Sequence, residues 1–396
     1  MVVKKIINLD TASTTPLDKR VFRVMKPYFT EKFGNPASLH RLGTEAQKAV
    51  TLARQQTADF LQAHTDEIYF TSGGTEALNW AIFGVARLFK TPKHLVISAI
   101  EHEAVIEPCL FLEKQGWKLT FVSPDKNGVI KPEAIREALT EDTVLVAVMT
   151  ANNEIGTIQP IKDIAKVIRA LRKDRLGHPL YFLTDACQAP RALDLVVDKL
   201  GVDFLVLNGS KIYGPKGIGA LYIRRGINIG PLLFGGGQEA GKRSGTSNVP
   251  GIVGLGEALT ICKKEYKKEK ARLTPLRDFL AQEIKKKIPE VIVSGDLNNR
   301  LPSNLHISIP GLLGEQLVIE LSVNGVACSA GSACSVLGGG GSRTLRAIGL
   351  IPQLADSSLR FSLDRSITKN DLKKVVSILV KIITKLRSFE PKIVNN

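Results

Sequence analysis

The sequence predicts an α/β protein: a large domain with a mostly parallel sheet covered by helices, joined to a smaller α+β domain. Two observations predict it. Short apolar stretches alternate with helix-length segments through the first two thirds of the 396 residues. After about residue 250 the pattern changes to a long charged helical stretch, two short strands and a last helix.

The elements follow in chain order. Residues 41–60 have helical spacing of apolar side chains, 68–70 read as a short strand, and 75–88 read as a helix opening after Gly73-Gly74. Short apolar strands are predicted at 94–99, 119–122, 143–149, 181–183, 204–207 and 220–223. Helix-forming stretches lie between many of them, and that alternation implies parallel pairing with crossover helices. Beyond 250, a charged helix covers 251–287, and short strands fall near 291–293 and 304–309. In the final helix, 371–386, Leu372, Val375, Val376, Leu379, Ile382, Ile383 and Leu386 form one apolar stripe, with Asn370 as the expected N-cap. The large domain is assigned to 16–262, and the small one to 1–15 together with 263–396. Pro16 interrupts the chain at the first boundary.

Composition narrows the function classes. Hydrophobic residues are 44% and charged residues 23%, which is ordinary for a globular protein. No apolar run approaches the length of a membrane span, and the N-terminus reads as no signal peptide. The expected compartment is the cytoplasm, with no membrane partner. Five cysteines without a CxxC pair argue against a disulfide framework and a thiolate zinc site. Of the net charge of +16, +4 falls in 263–272 and +3 in Lys285-Lys286-Lys287. Both read as solvated helix faces. No basic run is interleaved with aromatics as a stacking platform requires, so general solubility or a protein partner is favoured over nucleic acid.

The residues that carry chemistry cluster at predicted strand ends. Asp185 follows one apolar strand, and Asn208-Gly209-Ser210-Lys211 follows the next. Ligands in open α/β sheets bind at that edge. An Asp and a Lys there suit pyridoxal phosphate: the lysine forms a Schiff base and the carboxylate pairs with the pyridinium nitrogen. Taken alone, the pair reads better as a helix cap and a surface lysine. Thr71-Ser72-Gly73-Gly74-Thr75 between a strand and a helix suits an anion such as phosphate. His102 and the polar loop Ala151-Asn152-Asn153-Glu154-Ile155-Gly156 also follow strands. Alone, the histidine reads as structural, whereas so polar a loop after so apolar a strand suggests a site, with a turn as the alternative. Cys328 and Cys334 sit among small residues, with Gly338–Gly341 after them. Cys334 is the expected nucleophile, and the glycines are read as a flexible carrier. Cys328, Cys109, Cys187 and Cys262 are read as small core residues.

Together these motifs resemble the cysteine desulfurases, class V aminotransferase-like enzymes of fold-type I that use pyridoxal 5′-phosphate. The strongest pieces are Lys211-Ile212-Tyr213-Gly214-Pro215-Lys216-Gly217, Arg243-Ser244-Gly245-Thr246 and Gly331-Ser332-Ala333-Cys334. The resemblance also takes in Leu9-Asp10, the segment from Phe33 to Ser38 and Ser357-Ser358-Leu359-Arg360-Phe361-Ser362.

The resemblance implies that Lys211 carries the cofactor and then acts as the base at the substrate Cα. It implies that Asp185 stabilises the pyridinium, that His102 stacks on the ring and assists proton transfer, and that Gln188 contacts the phenolic oxygen. Gly74, Thr75 and Ser210 would bind phosphate, with Thr246 from the other subunit of a homodimer. Asn153 would lie near cofactor and substrate. Arg360, and less directly Asn35, would hold the substrate carboxylate. Cys334 would take sulfur from L-cysteine, release alanine, and pass the sulfur to an acceptor or iron–sulfur scaffold protein. The family commonly has Ser-Gly-His-Lys where this chain has Asn208-Gly209-Ser210-Lys211; Asn208 and Ser210 retain hydrogen-bond donors in place of the imidazole. An aminotransferase or selenocysteine lyase shares most of these features. Cys334 distinguishes the desulfurase from the former, and the set as a whole distinguishes it from a silent scaffold.

Overall fold

The computed structural model describes residues 6–174, 177–331 and 341–389. Its strands are β1 (Ile7–Asn8), β2 (Ile68–Thr71), β3 (His94–Ser98), β4 (Lys118–Val122), β5 (Thr143–Ala147), β6 (Tyr181–Asp185), β7 (Phe204–Asn208), β8 (Gly219–Ile223), β9 (Ile292–Val293), β10 (Asn304–Ser308), β11 (Val326–Ala327) and β12 (Ser358–Ser362).

Seven of them form the main sheet, in the order β2-β8-β7-β6-β5-β3-β4. β8 is antiparallel to both neighbours, and the remaining pairs are parallel. The reason lies in the strands themselves. Those of the middle, such as Thr143-Val144-Leu145-Val146-Ala147, are buried at every position, as a sheet covered on both faces demands. Successive residues enter opposite cores: Leu205 and Leu207 pack in one, Phe204 and Val206 in the other. Helices on the two faces supply the rest of each core.

β12-β10-β9 form a second, antiparallel sheet, and β1 pairs with β11 in parallel. A third apolar cluster unites Leu9, Leu273, Leu280, Leu305, Leu359, Phe361, Leu372 and Val376. One 39-residue helix, Val249–Lys287, contributes to the first cluster through Leu255 and Leu259 and to the third through Leu273 and Leu280. Its basic residues Lys263, Lys264, Lys267, Lys268, Lys285, Lys286 and Lys287 are exposed, as a solvated face should be.

The last helix is Lys369–Phe389. Its expected cap is corrected: Thr368, not Asn370, precedes the first turn. Thr368 Oγ1 accepts the N–H of Asp371 at 3.2 Å, and the Asp371 carboxylate accepts the N–H of Thr368 at 3.0 Å. This reciprocal pair is a capping box, which a single candidate residue does not reveal.

Candidate active site

The carboxyl ends of β3, β5, β6 and β7 surround a cleft of about 290 Å³, at the small end of the ~300–1,000 Å³ typical of ligand sites. Sequence order reverses there: β3 lies between β4 and β5, the topological switch at which open α/β sheets bind ligands.

Lys211 ends a short 3-10 turn after β7, and the Asn208 side chain caps that turn by accepting the Ser210 N–H at 3.1 Å. Lys211 Nζ donates to the carbonyls of Ser13 at 2.6 Å and Ala12 at 3.0 Å. Burial is the chief cause that holds its ammonium below the ordinary lysine pKa, so more of the free, nucleophilic amine is present. Two residues on, Tyr213 adopts φ +59°, a strained conformation for a non-glycine. It is held there by a bond from its N–H to Thr15 Oγ1 at 2.7 Å and by the Arg365 guanidinium, 3.6 Å from its ring centroid.

Asp185, the last residue of β6, is buried and accepts the Cys187 N–H at 2.8 Å. His102 caps the helix Glu103–Glu113: its Nδ1 accepts the Ala104 N–H at 3.0 Å. That bond leaves the proton of the neutral ring on Nε2. Gln188 donates from Nε2 to the Ala12 carbonyl at 2.9 Å, sharing that oxygen with Lys211. Gly74 opens the thirteen-residue helix Gly74–Ala86. A Cβ there would lie 2.9 Å from Cys187 Sγ and 3.5 Å from Asn208 Nδ2, so only glycine leaves this helix N-terminus open to an anion.

Arg360, on β12, is 3% exposed. Its Nη2 donates to Asp10 at 2.9 Å, Ser13 Oγ at 2.7 Å and Ser329 Oγ at 3.0 Å, and its Nη1 to the Asn153 carbonyl at 3.3 Å. Asn153 lines the same cleft.

Thus Gly74, Thr75, His102, Asn153, Asp185, Gln188, Asn208, Lys211 and Arg360 all line one cleft. Ser210 lies behind it, giving its hydroxyl to Asn208 Oδ1 at 3.0 Å. Thr246 is exposed, and Asn35 lines a different cavity with Arg54 and Glu239. Cys334 and Gly338–Gly340 lie outside the described residues. Cys109, Cys187, Cys262 and Cys328 are buried free thiols, and Cys187 also reaches the cleft.

Sequence reasoning missed several residues of the site. Glu101 is buried at the cleft, and burial pushes its carboxyl up to about 8. Its Oε1 accepts the Ser98 hydroxyl at 2.5 Å and the Met149 N–H at 2.7 Å. Glu154, raised by burial as well, accepts the Ser342 hydroxyl at 2.5 Å. The position of Glu101 beside His102 was its only signal. Glu154 lies in the polar loop already singled out and Asp10 in the Leu9-Asp10 piece of the resemblance, though neither was given a role; Ser13 and Ser329 reach Arg360 from distant parts of the chain and gave no signal.

Residues 7–375 match the family model described as aminotransferase class-V. A cysteine desulfurase IscS of Dictyoglomus turgidum is 45% identical over 390 residues, covering 98% of this chain and 97% of that protein. This chain belongs to the class-V aminotransferase family, among its cysteine desulfurases. A solved structure described as a NifS-like protein superposes on the desulfurase with TM-score 0.89 and 34% identity, covering 96% of this chain and all of the other. A second, described as SspA in complex with cysteine, gives TM-score 0.77 and 35% identity over 90% of this chain and 98% of the other. The fold is therefore that of the fold-type I enzymes, whose cofactor is pyridoxal 5′-phosphate. The cleft fits that group: a glycine-lined helix N-terminus for phosphate, a buried carboxylate for a ring nitrogen, and a lysine amine for an aldehyde.

Proposed function

We propose that this chain takes sulfur from L-cysteine, releases L-alanine and holds the sulfur as a persulfide on Cys334. The convergence of Lys211, Asp185, His102 and Arg360 on one cleft carries the reading. Pyridoxal 5′-phosphate, when bound, supplies an electron sink for negative charge developing at the substrate Cα.

The residues divide the remaining work. Asp185 would pair with the ring nitrogen, Gln188 with the phenolic oxygen, and Gly74, Thr75 and Asn208 with the phosphate, Ser210 orienting Asn208. Lys211, its ammonium already destabilised by burial, removes the Cα proton. His102 assists proton transfer through Nε2. Arg360 presents its planar fork to the substrate carboxylate, beside Asn153, with Asn35 a subsidiary candidate. The Cys334 thiolate attacks the substrate sulfur. An S–S bond forms as the Cβ–S bond breaks, the electron pair stays with carbon, and protonation there completes alanine.

The persulfide sulfur then passes to an acceptor protein, for iron–sulfur cluster assembly or tRNA thiolation. The working form is a homodimer in which Thr246 reaches the phosphate of the other copy. The exposed Phe29, Phe33, Leu39 and Phe234 support a covering partner. The separate cluster around Leu9, Leu273 and Phe361 supports a small domain made of 1–15 and 263–396 beside a large one of 16–262. Among the described residues no helix is long and apolar enough to cross a membrane.

The test is turnover. Cofactor-loaded protein is incubated with L-cysteine and a reductant, and alanine and sulfide are quantified beside a Cys334→Ala variant. Equal yields from the parent, lost in the variant, are expected. Alanine formed undiminished by C334A would remove Cys334 from the mechanism.

A further inference from the structure

The second sheet has two unlike faces. Leu305 and Ile307 of β10 join Leu359 and Phe361 of β12 in the apolar core. The opposite face presents Asn304, His306 and Ser308 beside Ser358, Arg360 and Ser362, all buried. A polar face without solvent needs a reason, because every unpaired group on it costs desolvation free energy.

His306 lies at the centre of that face and is wholly buried. It is paired in register with Arg360, and side chains at directly opposed positions share a face with Cβ atoms about 5 Å apart. On its other side the Ser294 N–H donates to the His306 carbonyl at 3.1 Å, so Ser294, His306 and Arg360 form a row across three chain segments. This face meets the cleft loop 152–156: Asn304 Nδ2 donates to the Glu154 carbonyl at 2.9 Å, and Arg360 Nη1 to the Asn153 carbonyl at 3.3 Å.

Among the described residues, both ring nitrogens of His306 lack a hydrogen-bond partner. So do Arg360 Nε, Ser294 Oγ and Arg300 Nε. Buried polar atoms in native proteins are generally satisfied by protein groups or by ordered water. Burial first, then the Arg300 and Arg360 charges, push the His306 pKa down to about 3. The ring is therefore neutral at working pH and offers one lone pair and one N–H. The lone pair is the acceptor that a guanidinium Nε–H in the same row needs.

We propose that His306 is a positioning residue for Arg360: its ring accepts the Arg360 Nε–H through a buried water and sets the guanidinium plane toward the cleft. The proposal rests on the reading that Arg360 receives the substrate carboxylate.

Cofactor-loaded enzyme is assayed with L-cysteine and with L-cysteine methyl ester, which lacks the carboxylate. The parent should prefer the acid. H306L should raise KM for L-cysteine roughly tenfold, with kcat and the ester reaction unchanged, and H306N, which keeps polar atoms, should return KM to within about threefold of the parent. H306F, a ring without nitrogens, serves where H306L does not fold. A parent indifferent to the ester overturns the carboxylate reading and the proposal with it. A parent that discriminates, with H306L or H306F discriminating equally, overturns the His306 proposal alone. Equal losses on both substrates in the leucine and asparagine variants would mean a packing role and also overturn it.

Discussion

Lys211 and Glu101 show how one cleft sets opposite chemical tasks by burial. Desolvation disfavours charge, so it lowers a lysine pKa and raises a glutamate pKa. For Lys211 the result is an amine ready to hold an aldehyde. Lys211→Ala should abolish the absorbance of the lysine-linked cofactor, and a yellow, covalently held cofactor persisting in K211A would sink the assignment. For Glu101 the consequence is thermodynamic. Its folded pKa of about 8 lies above the unfolded value of 4.5, so the stability it contributes is full below pH 4.5 and is lost as pH rises through about 8. Glutamine keeps the shape and stays neutral. The melting temperature of E101Q should therefore fall less than that of the parent between pH 5 and pH 9 in thermal scans. Parallel melting curves across that range would contradict a neutral Glu101.

Elements were legible where periodicity was strong and less so at their ends. The strand predicted at 204–207 is Phe204–Asn208, and the helix predicted at 41–60 is Arg41–Leu61. Ends depend on hydrogen bonds made by particular side chains, which periodicity does not report. The final helix illustrates this, because Thr368 and Asp371 cap it together. Thr368→Ala should cost about 1 kcal/mol in urea denaturation, with Asn370→Ala near neutral. The reverse order would restore Asn370 as the cap. The strand β10 carries the other lesson of this scale. Its alternation Asn304-Leu305-His306-Ile307-Ser308 has the period of a half-exposed strand, yet both faces are buried, because its polar side packs on the loop 152–156.

Across the whole molecule, four cysteines were read as core and are buried. Burial raises every one of their thiols, to about 12 at Cys262 and Cys328, with Cys109 and Cys187 also driven upward. Thiolate is the reactive form. Native protein treated with iodoacetamide near neutral pH should be alkylated at Cys334, with the other four spared, as read by peptide mass mapping. Modification of Cys187 under native conditions would show the cleft floor to be open. The sequence by itself determined the α/β class, the mostly parallel sheet and the strand-end positions of Asp185, His102 and Lys211, because these depend on local periodicity and on the rule that ligands sit at carboxyl strand ends. Only the tertiary structure decided that Asp10, Ser13 and Ser329 surround Arg360, and that His306 lies in register with Arg360. Those relations join segments up to 350 residues apart. No local pattern encodes them, because they are set by how the second sheet docks on the cleft.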